Sequence, residues 1–408
     1  MPRRRVLVAM SGGVDSSVAA WLLQQEGYEC IGATMRLYDA EGAVSGATPS
    51  SVPAKAQEAC GNLRDIADAK EVCRRLGIPH HVLDCRERFR SDVIDEFVTF
   101  YEHGLTPNPC TICNRRIKFG LLLEHARSMG CDAVATGHYA RVKRREGAGA
   151  APVFELAKAA DGSKDQSYFL YSLTQDVLAH VIFPLGGLTK EGDVRRIAEQ
   201  QGFSCARKRD SQGICFVPNN DFASFIERLR GEELPSGQVL DTSGNVLGKH
   251  RGAVRYTVGQ RKGLGIAAAR PLYVTATDTA ANTVTLGEER DLFASALVAG
   301  DWVWSAPGPE MEARLDAARQ DTPFEATAQI RYHQPNQAVR ISRADEPAAD
   351  DAHGSPIRRT AGCPEHGAEC IRIDFKQPQR AIAPGQAVVV FQDDVVLGGG
   401  TVIRVPRD

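Results

Sequence analysis

The sequence predicts an α/β chain in three parts: a doubly wound parallel sheet, a small mixed central domain and a C-terminal β-barrel. Three observations predict it. Over roughly the first 140 residues, short apolar runs alternate with segments of helical period, as βα units closing a parallel sheet do. From about Asp210 the chain turns glycine-rich and β-like. From Leu297 onward it reads as short strands and turns, the pattern of a small barrel. A chain of 408 residues has room for two or three cores, and we set the boundaries at 1–217, 218–294 and 295–408.

Val6-Leu7-Val8-Ala9-Met10 reads as a buried strand. Ser11-Gly12-Gly13 lets backbone come close to a ligand, and Asp15, Ser16 and Ser17 suit a first helical turn. Val14, Val18, Trp21 and Leu22 mark the helix itself, with Gly27 as its C-cap. A second strand follows at 28–36, then a loop of small residues at 40–51. Ile66, Ala69, Cys73 and Leu76 mark a helix stopping at Gly77, and 78–84 is a third strand. Phe89, Val93, Phe97 and Phe100 mark the next helix; Ile117, Leu121 and Met129 mark another that ends at Gly130, before a fourth strand at 133–136. Phe222, Phe225, Ile226 and Leu229 suggest a helix in the central domain. The barrel strands fall at 302–304, 325–332, 371–375, 387–391 and 395–403, interrupted by a polar, aperiodic and therefore disordered insertion at about 343–368.

Composition excludes some classes of function. A net charge of −2 argues against holding nucleic acid by bulk positive charge, so an RNA partner needs a local basic face. No apolar run approaches the ~18 residues of a membrane span, and MPRRRVLVAM lacks a cleavage site. Eleven cysteines spread over a long chain fit a reducing cytosol, and the expected location is cytoplasmic. Cys30, Cys73, Cys85, Cys131 and Cys205 lie in apolar patterns and read as small core residues.

The chemistry concentrates in a few stretches. A strand, a glycine turn and a helix N-terminus form an anion site, because uncapped N–H groups and the helix dipole point at one place. SGGVDSS lacks the lysine of a Walker A loop. It resembles instead the PP-loop of the ATP pyrophosphatases, of the adenine nucleotide alpha hydrolase-like fold, which split ATP between the α and β phosphates to make an adenylate. Asn108-Pro109-Cys110-Thr111-Ile112-Cys113-Asn114 places C-x-x-C immediately before a helix, where the dipole favours thiolate. That pair reads as reactive or iron-binding, as two buried thiols, or as half a zinc site without its second half. Cys215 is a third candidate thiol, just after the basic run at 207–209. The glycine-rich loop at 250–266, with Arg251, Arg255, Arg261, Lys262 and Tyr256, suits RNA backbone and base stacking. Cys363, His366 and Cys370 form a further cluster, a stray metal site or nothing.

Seven stretches then occur in order across all three domains: SGGVDSS, TPNPC-x-x-CN-x-x-IKF (106–119), TGHYAR (136–141), KDQSYFLY (164–171), DSQGICF (210–216), YTVGQRKGLGI (256–266) and APGQ…LGGG (383–400). On these the chain is similar to the tRNA-specific 2-thiouridylases. The resemblance implies that ATP, with Mg²⁺ neutralising the pyrophosphate, adenylates the C2 oxygen of the wobble uridine of tRNA. A persulfide on Cys113, loaded by a sulfur-relay protein or a cysteine desulfurase, then delivers sulfur, with Cys215 as the second thiol of a transient disulfide. By the same resemblance Ala9, Met10, Ser11, Gly12, Gly13, Val14, Asp15, Ser16, Met35 and Gly137 hold ATP. Asn108, Pro109, Cys110, His138, Lys164, Asp165, Gln166, Arg331, Tyr332 and Gln386 meet tRNA. A monomer is expected, though the sequence itself does not reveal the oligomeric state.

One departure matters. Many relatives carry Asp where this chain has Cys110. Cys110, Cys113 and Cys215 are then the ligands of a possible four-iron four-sulfur cluster holding a hydrosulfide, which would replace the persulfide route. Two rival readings are weaker. A small-molecule PP-loop synthetase needs neither paired cysteines nor a barrel, and a cysteine-rich RNA-binding or metal-storage protein has no use for SGGVDSS.

Overall fold

The computed structural model describes residues 4–38, 63–146, 152–208, 210, 213–318, 322–344 and 370–406. Its first sheet takes β1 (Arg5–Ala9), β2 (Glu29–Arg36), β3 (His80–Asp84) and β4 (Ala133–Ala135). After a hairpin, β5 (Arg141–Glu146) and β6 (Pro152–Ala157), it adds β7 (Val181–Ile182). The order is β3-β2-β1-β4-β7 and every pairing is parallel, as expected. Helices cover both faces, which is why β1 is an unbroken apolar run. Val6 and Val8 pack with Val18 and Leu23 of α1 (Val14–Gln25), whereas Leu7 packs with Leu122 and Ala126 on the other side. Strand order reverses between β1 and β4, so a crevice opens at the C-terminal ends of those two strands.

α2 (Leu63–Leu76) stops where the sequence places its end. The helix over 109–128 differs from expectation at its start. Asn108 is the N-cap and Pro109 the first helical residue, so the C-x-x-C lies inside the helix and not before it. Proline explains this, since its fixed φ and missing N–H suit the first helical position. From Cys113 to Leu121 the turns widen to a π-helix, and a second π stretch, Arg90–Ile94, interrupts the helix over 86–102.

The central part is the helix Phe222–Arg230 and a sheet of β8 (Gly237–Asp241), β9 (Val246–His250), β10 (Tyr273–Asp278) and β11 (Thr283–Gly287), in the order β10-β11-β8-β9. The barrel follows as β12 (Phe293–Trp304), β13 (Phe324–Gln329), β14 (Gln337–Arg343), β15 (Ile371–Arg380), β16 (Ala387–Gln392) and β17 (Val395–Arg404). Pairing of β12 with β17 closes it into six strands.

Two features were not anticipated. β14 buries only Val339 and Ile341 between polar neighbours, an alternation too short to stand out beside the adjoining polar stretch. The β5–β6 hairpin joins the barrel sheet through Ala157 opposite Val395, so the first part of the chain extends the last. The loop at 40–51, Cys363 and His366 lie outside the described residues, as does the proposed insertion except for Arg343 and Ala344. Among the described residues no helix is long and apolar enough to cross a membrane.

Candidate active site

The chain leaves β1 into a loop that only small residues can make. Gly12 has φ +70°, and a Cβ there would stand 2.4 Å from the Asp65 carbonyl oxygen at the head of α2. Ser16 Oγ donates to Gly13 O (3.1 Å) and accepts from the Ser11 N–H (3.1 Å), while Ser17 Oγ donates to the same Gly13 O (2.9 Å). Gly13 caps α1 in extended backbone without a side-chain cap, leaving amide donors for an anion. From β4, Gly137 closes the crevice: a Cβ there would lie 2.8 Å from both Asp15 C and Ser16 N. Gly137 thus packs directly on the Asp15–Ser16 end of the loop. Met35, near the end of β2, is partly buried between the two layers beside them.

A charge network that sequence reasoning missed stands behind this loop. Lys190 is 1% exposed, and its Nζ donates to both Asp15 carboxylate oxygens (2.7 Å each) and lies 2.9 Å from Asp210 Oδ1. The Tyr139 hydroxyl donates to Asp15 Oδ1 at 2.8 Å. Lys164 holds the other Asp210 oxygen at 2.9 Å, and Arg195 stands 3.4 Å from Oδ1. Burial pushes the Asp210 carboxyl up, but hydrogen bonds from Lys164 and Lys190 outweigh it and hold the group below the usual carboxylate range. Lys208 donates to Asp65 (2.6 Å), Asp68 (3.0 Å) and Gly12 O (3.2 Å), bracing the loop from the α2 side. Lys190 sits in LTKEGDVRRIAEQ, where nothing in spacing marks it. Lys208 did lie in the basic run, whose contact with the loop only the fold reveals.

The thiols lie across the sheet. Cys110 is exposed in the first turn of its helix, and Cys113, one turn on, is buried among Phe89, Val93, Phe97 and Ile117. Cys215 is partly buried against that same cluster, where the Tyr38 hydroxyl donates to its carbonyl at 2.5 Å. The fold therefore brings Cys113 and Cys215 to one apolar cluster. The helix dipole, which acts within the first turn, bears on Cys110 and not on Cys113. Among the described residues no three of His, Cys, Asp and Glu are grouped to hold a metal ion.

The residues expected to meet tRNA ring this region, and most are tied into the chain itself. Asn108 O accepts from Thr111 Oγ1 at 2.8 Å, and Pro109 is buried. Gln386, in the barrel, donates to Thr106 O (3.0 Å), and Thr106 N donates to Pro384 O (2.8 Å), so the barrel holds the approach to the cysteine helix. His138 pairs with Thr136 Oγ1 at 2.7 Å; burial, and then Lys118, drive its pKa well below the ordinary value, so the imidazole is neutral. Asp165 accepts from Ala159 N (2.9 Å) and Ser167 Oγ (2.8 Å), and Gln166 Oε1 accepts from Tyr139 N (3.0 Å). Arg331 donates to the Arg380 and Ala381 carbonyls, and Tyr332 packs on Phe169 with ring centroids 4.4 Å apart.

Three family models match the chain in order. One described as a tRNA methyl transferase HUP domain covers 4–219, a tRNA methyl transferase PRC-barrel domain covers 223–288, and an aminomethyltransferase β-barrel domain covers 361–402. A tRNA-specific 2-thiouridylase from Geotalea uraniireducens is 44% identical over 98% of this chain and 94% of its own length. One from Moorella thermoacetica is 44% identical over 98% of this chain and 100% of its own. A solved 4-thiouridine synthetase–RNA complex with bound ATP aligns over 56% of this chain and 50% of that one, at 17% identity and a TM-score of 0.34. That likeness is too slight to argue from.

Proposed function

The chain belongs to the family of tRNA-specific 2-thiouridylases, and from that membership we infer that it is an ATP-dependent sulfurtransferase that makes 2-thiouridine in tRNA. The observation that carries the reading is the pairing, in one domain, of an uncapped glycine loop with an apolar cluster that holds Cys113 and, partly buried, Cys215. Family descriptions that speak of methyl transfer fit this pairing poorly, because methyl transfer needs neither an adenylating loop nor a second thiol.

In the proposed mechanism the wobble uridine O2 attacks the α phosphate of ATP, and pyrophosphate leaves from the loop at Ala9–Ser16, flanked by Met35 and Gly137. Mg²⁺ fits as a companion of the phosphates, since it keeps waters and takes few protein ligands. A persulfide on Cys113, supplied by a sulfur-relay protein or a cysteine desulfurase, attacks C2 through its terminal sulfur and expels AMP. The Cys215 thiolate then attacks Cys113 Sγ. The S–S bond to the nucleoside breaks, thiouridine leaves, and a Cys113–Cys215 disulfide remains for a thiol reductant to reopen. Asn108, Pro109, Cys110, His138, Lys164, Asp165, Gln166, Arg331, Tyr332 and Gln386 are the residues we assign to the tRNA side.

A four-iron four-sulfur cluster on Cys110, Cys113 and Cys215 fits less well, because Cys110 faces solvent while Cys113 lies within the apolar cluster. The test is anaerobic purification, with iron, acid-labile sulfide and thiouridine formation measured on one sample. Iron-free protein is expected to thiolate tRNA from a persulfide donor; activity that tracked iron would overturn the persulfide route. A second expectation concerns Gly137. Gly137→Ala drives a methyl group into the Asp15–Ser16 backbone, and the KM for ATP should rise by about tenfold or more. An unchanged KM would remove Gly137 from the nucleotide site.

A further inference from the structure

Between the cysteine helix and the barrel lies a polar cavity of about 30 Å³, lined among others by Glu96, Asn108, Thr111, Arg115, Ser172 and Asp301. That is room enough for a water molecule. Glu96 Oε2 and Ser172 Oγ are buried there without a hydrogen-bond partner. Such groups in a native interior call for an explanation.

Two arginines just past Cys113 are gripped by carboxylates that line this cavity. Arg115 Nη1 donates to Asp301 Oδ2 at 2.7 Å, and Arg116 Nη1 stands 2.8 Å from Glu96 Oε2, as an ion pair without hydrogen-bond geometry. Asp301 comes from the barrel, and its backbone is unusual. It has φ +47° and sits where the pairing of β12 with β17 shifts register between Gly300 and Val303. A bulge of this kind re-aims a side chain, and a left-handed non-glycine residue persists only where its surroundings hold it. The helix it grips has widened to π turns from Cys113 onward, an arrangement that regular hydrogen bonding does not enforce.

We propose that Asp301 and Glu96 are positioning residues for Cys113: barrel and neighbouring helix hold Arg115 and Arg116, and so keep the thiol-bearing turn in register for sulfur transfer. The role in sulfur transfer rests on the function inferred above; the grip itself does not. Its two halves differ in their response to pH. Glu96 faces Arg116, Arg115, Asp301 and Asp92; burial, joined by the two aspartates, outweighs the arginines and pushes its carboxyl up to about 7. The Glu96 half therefore tightens as pH rises through neutrality.

The experiment is alkylation of Cys113 by iodoacetamide in the full-length protein, followed by peptide mass spectrometry without tRNA or ATP. Asp301→Asn keeps a residue type that tolerates left-handed backbone. It is expected to raise the Cys113 alkylation rate by about tenfold and to slow single-turnover sulfur transfer from preloaded persulfide by a similar factor. Single-turnover pyrophosphate release, which precedes sulfur transfer, and the KM for tRNA should hold. Arg115→Met, which removes the partner of Asp301, should raise the alkylation rate by a similar factor and serves if Asp301→Asn misfolds, whereas Arg115→Lys, which keeps the charge, should stay near wild type. For Glu96→Gln, the alkylation rate relative to wild type should be near one at about pH 6, where wild-type Glu96 is itself protonated, and should climb by about pH 8. Unchanged alkylation in Asp301→Asn would overturn the proposal, and a ratio flat with pH would overturn the part played by Glu96. A wild-type protein that fails to thiolate tRNA would instead defeat the function inferred above, with alkylation still deciding the grip.

Discussion

Cys113→Ser is expected to abolish tRNA thiolation, a loss of about 10³-fold or more, while ATP is still consumed to adenylate tRNA. Serine nearly preserves the size of a side chain that is only 8% exposed, so the fold should survive at a cost of about 1–2 kcal/mol for a hydroxyl in an apolar cluster. A hydroxyl cannot carry a terminal sulfur, and the loop proposed to bind ATP lies elsewhere, on Ala9–Ser16 and Gly137. Two measurements check this on one sample: thiouridine by nucleoside mass spectrometry, and tRNA-dependent pyrophosphate release. Thiolation at the wild-type rate would remove Cys113 from the sulfur path; loss of both signals would make its role structural.

Lys190→Met should be the most damaging substitution outside the thiols. It removes the buried cation that pairs with Asp15 at 2.7 Å and with Asp210 at 2.9 Å. Among the described residues Asp15 keeps only the Tyr139 hydroxyl while Asp210 keeps Lys164 and Arg195, so the loss of this charge-assisted pairing costs about 2–3 kcal/mol. Urea denaturation at neutral pH measures the loss, and pyrophosphate release should fall with it because Asp15 lies in the first turn of α1. The pH dependence has a definite sign. Asp210 is held below its ordinary range, so its contribution is present above the unfolded carboxylate value of about 3.9 and is lost as pH falls through the lower folded value. In Lys190→Met that depression is reduced, so the gap between variant and wild type should narrow as the medium is acidified past about pH 4. A gap that widened on acidification would contradict the network.

Much of this was legible in the chain. Unbroken apolar runs such as Val6–Val8 mark strands buried on both faces, and the alternation of strand and helix implies parallel pairing. SGGVDSS marks a loop that only small residues can make, as Gly12 beside Asp65 shows, and the cysteines are conspicuous by chemistry. On the sequence alone the C-x-x-C falls before its helix, whereas the helix starts at Pro109, whose fixed φ and missing N–H suit the first position.

What the sequence by itself determined is local: where small residues make a tight loop, where apolar period makes a strand or a helix, and which side chains are thiols. What only the tertiary structure decided is which distant charges meet. Lys190 reaches Asp15 across 175 positions and Arg115 reaches Asp301 across 186. Coulombic pairing and burial depend on separation in space, and a one-dimensional pattern carries no record of it. Lysines and arginines at such positions look like ordinary solvated charges until the packing removes the water around them.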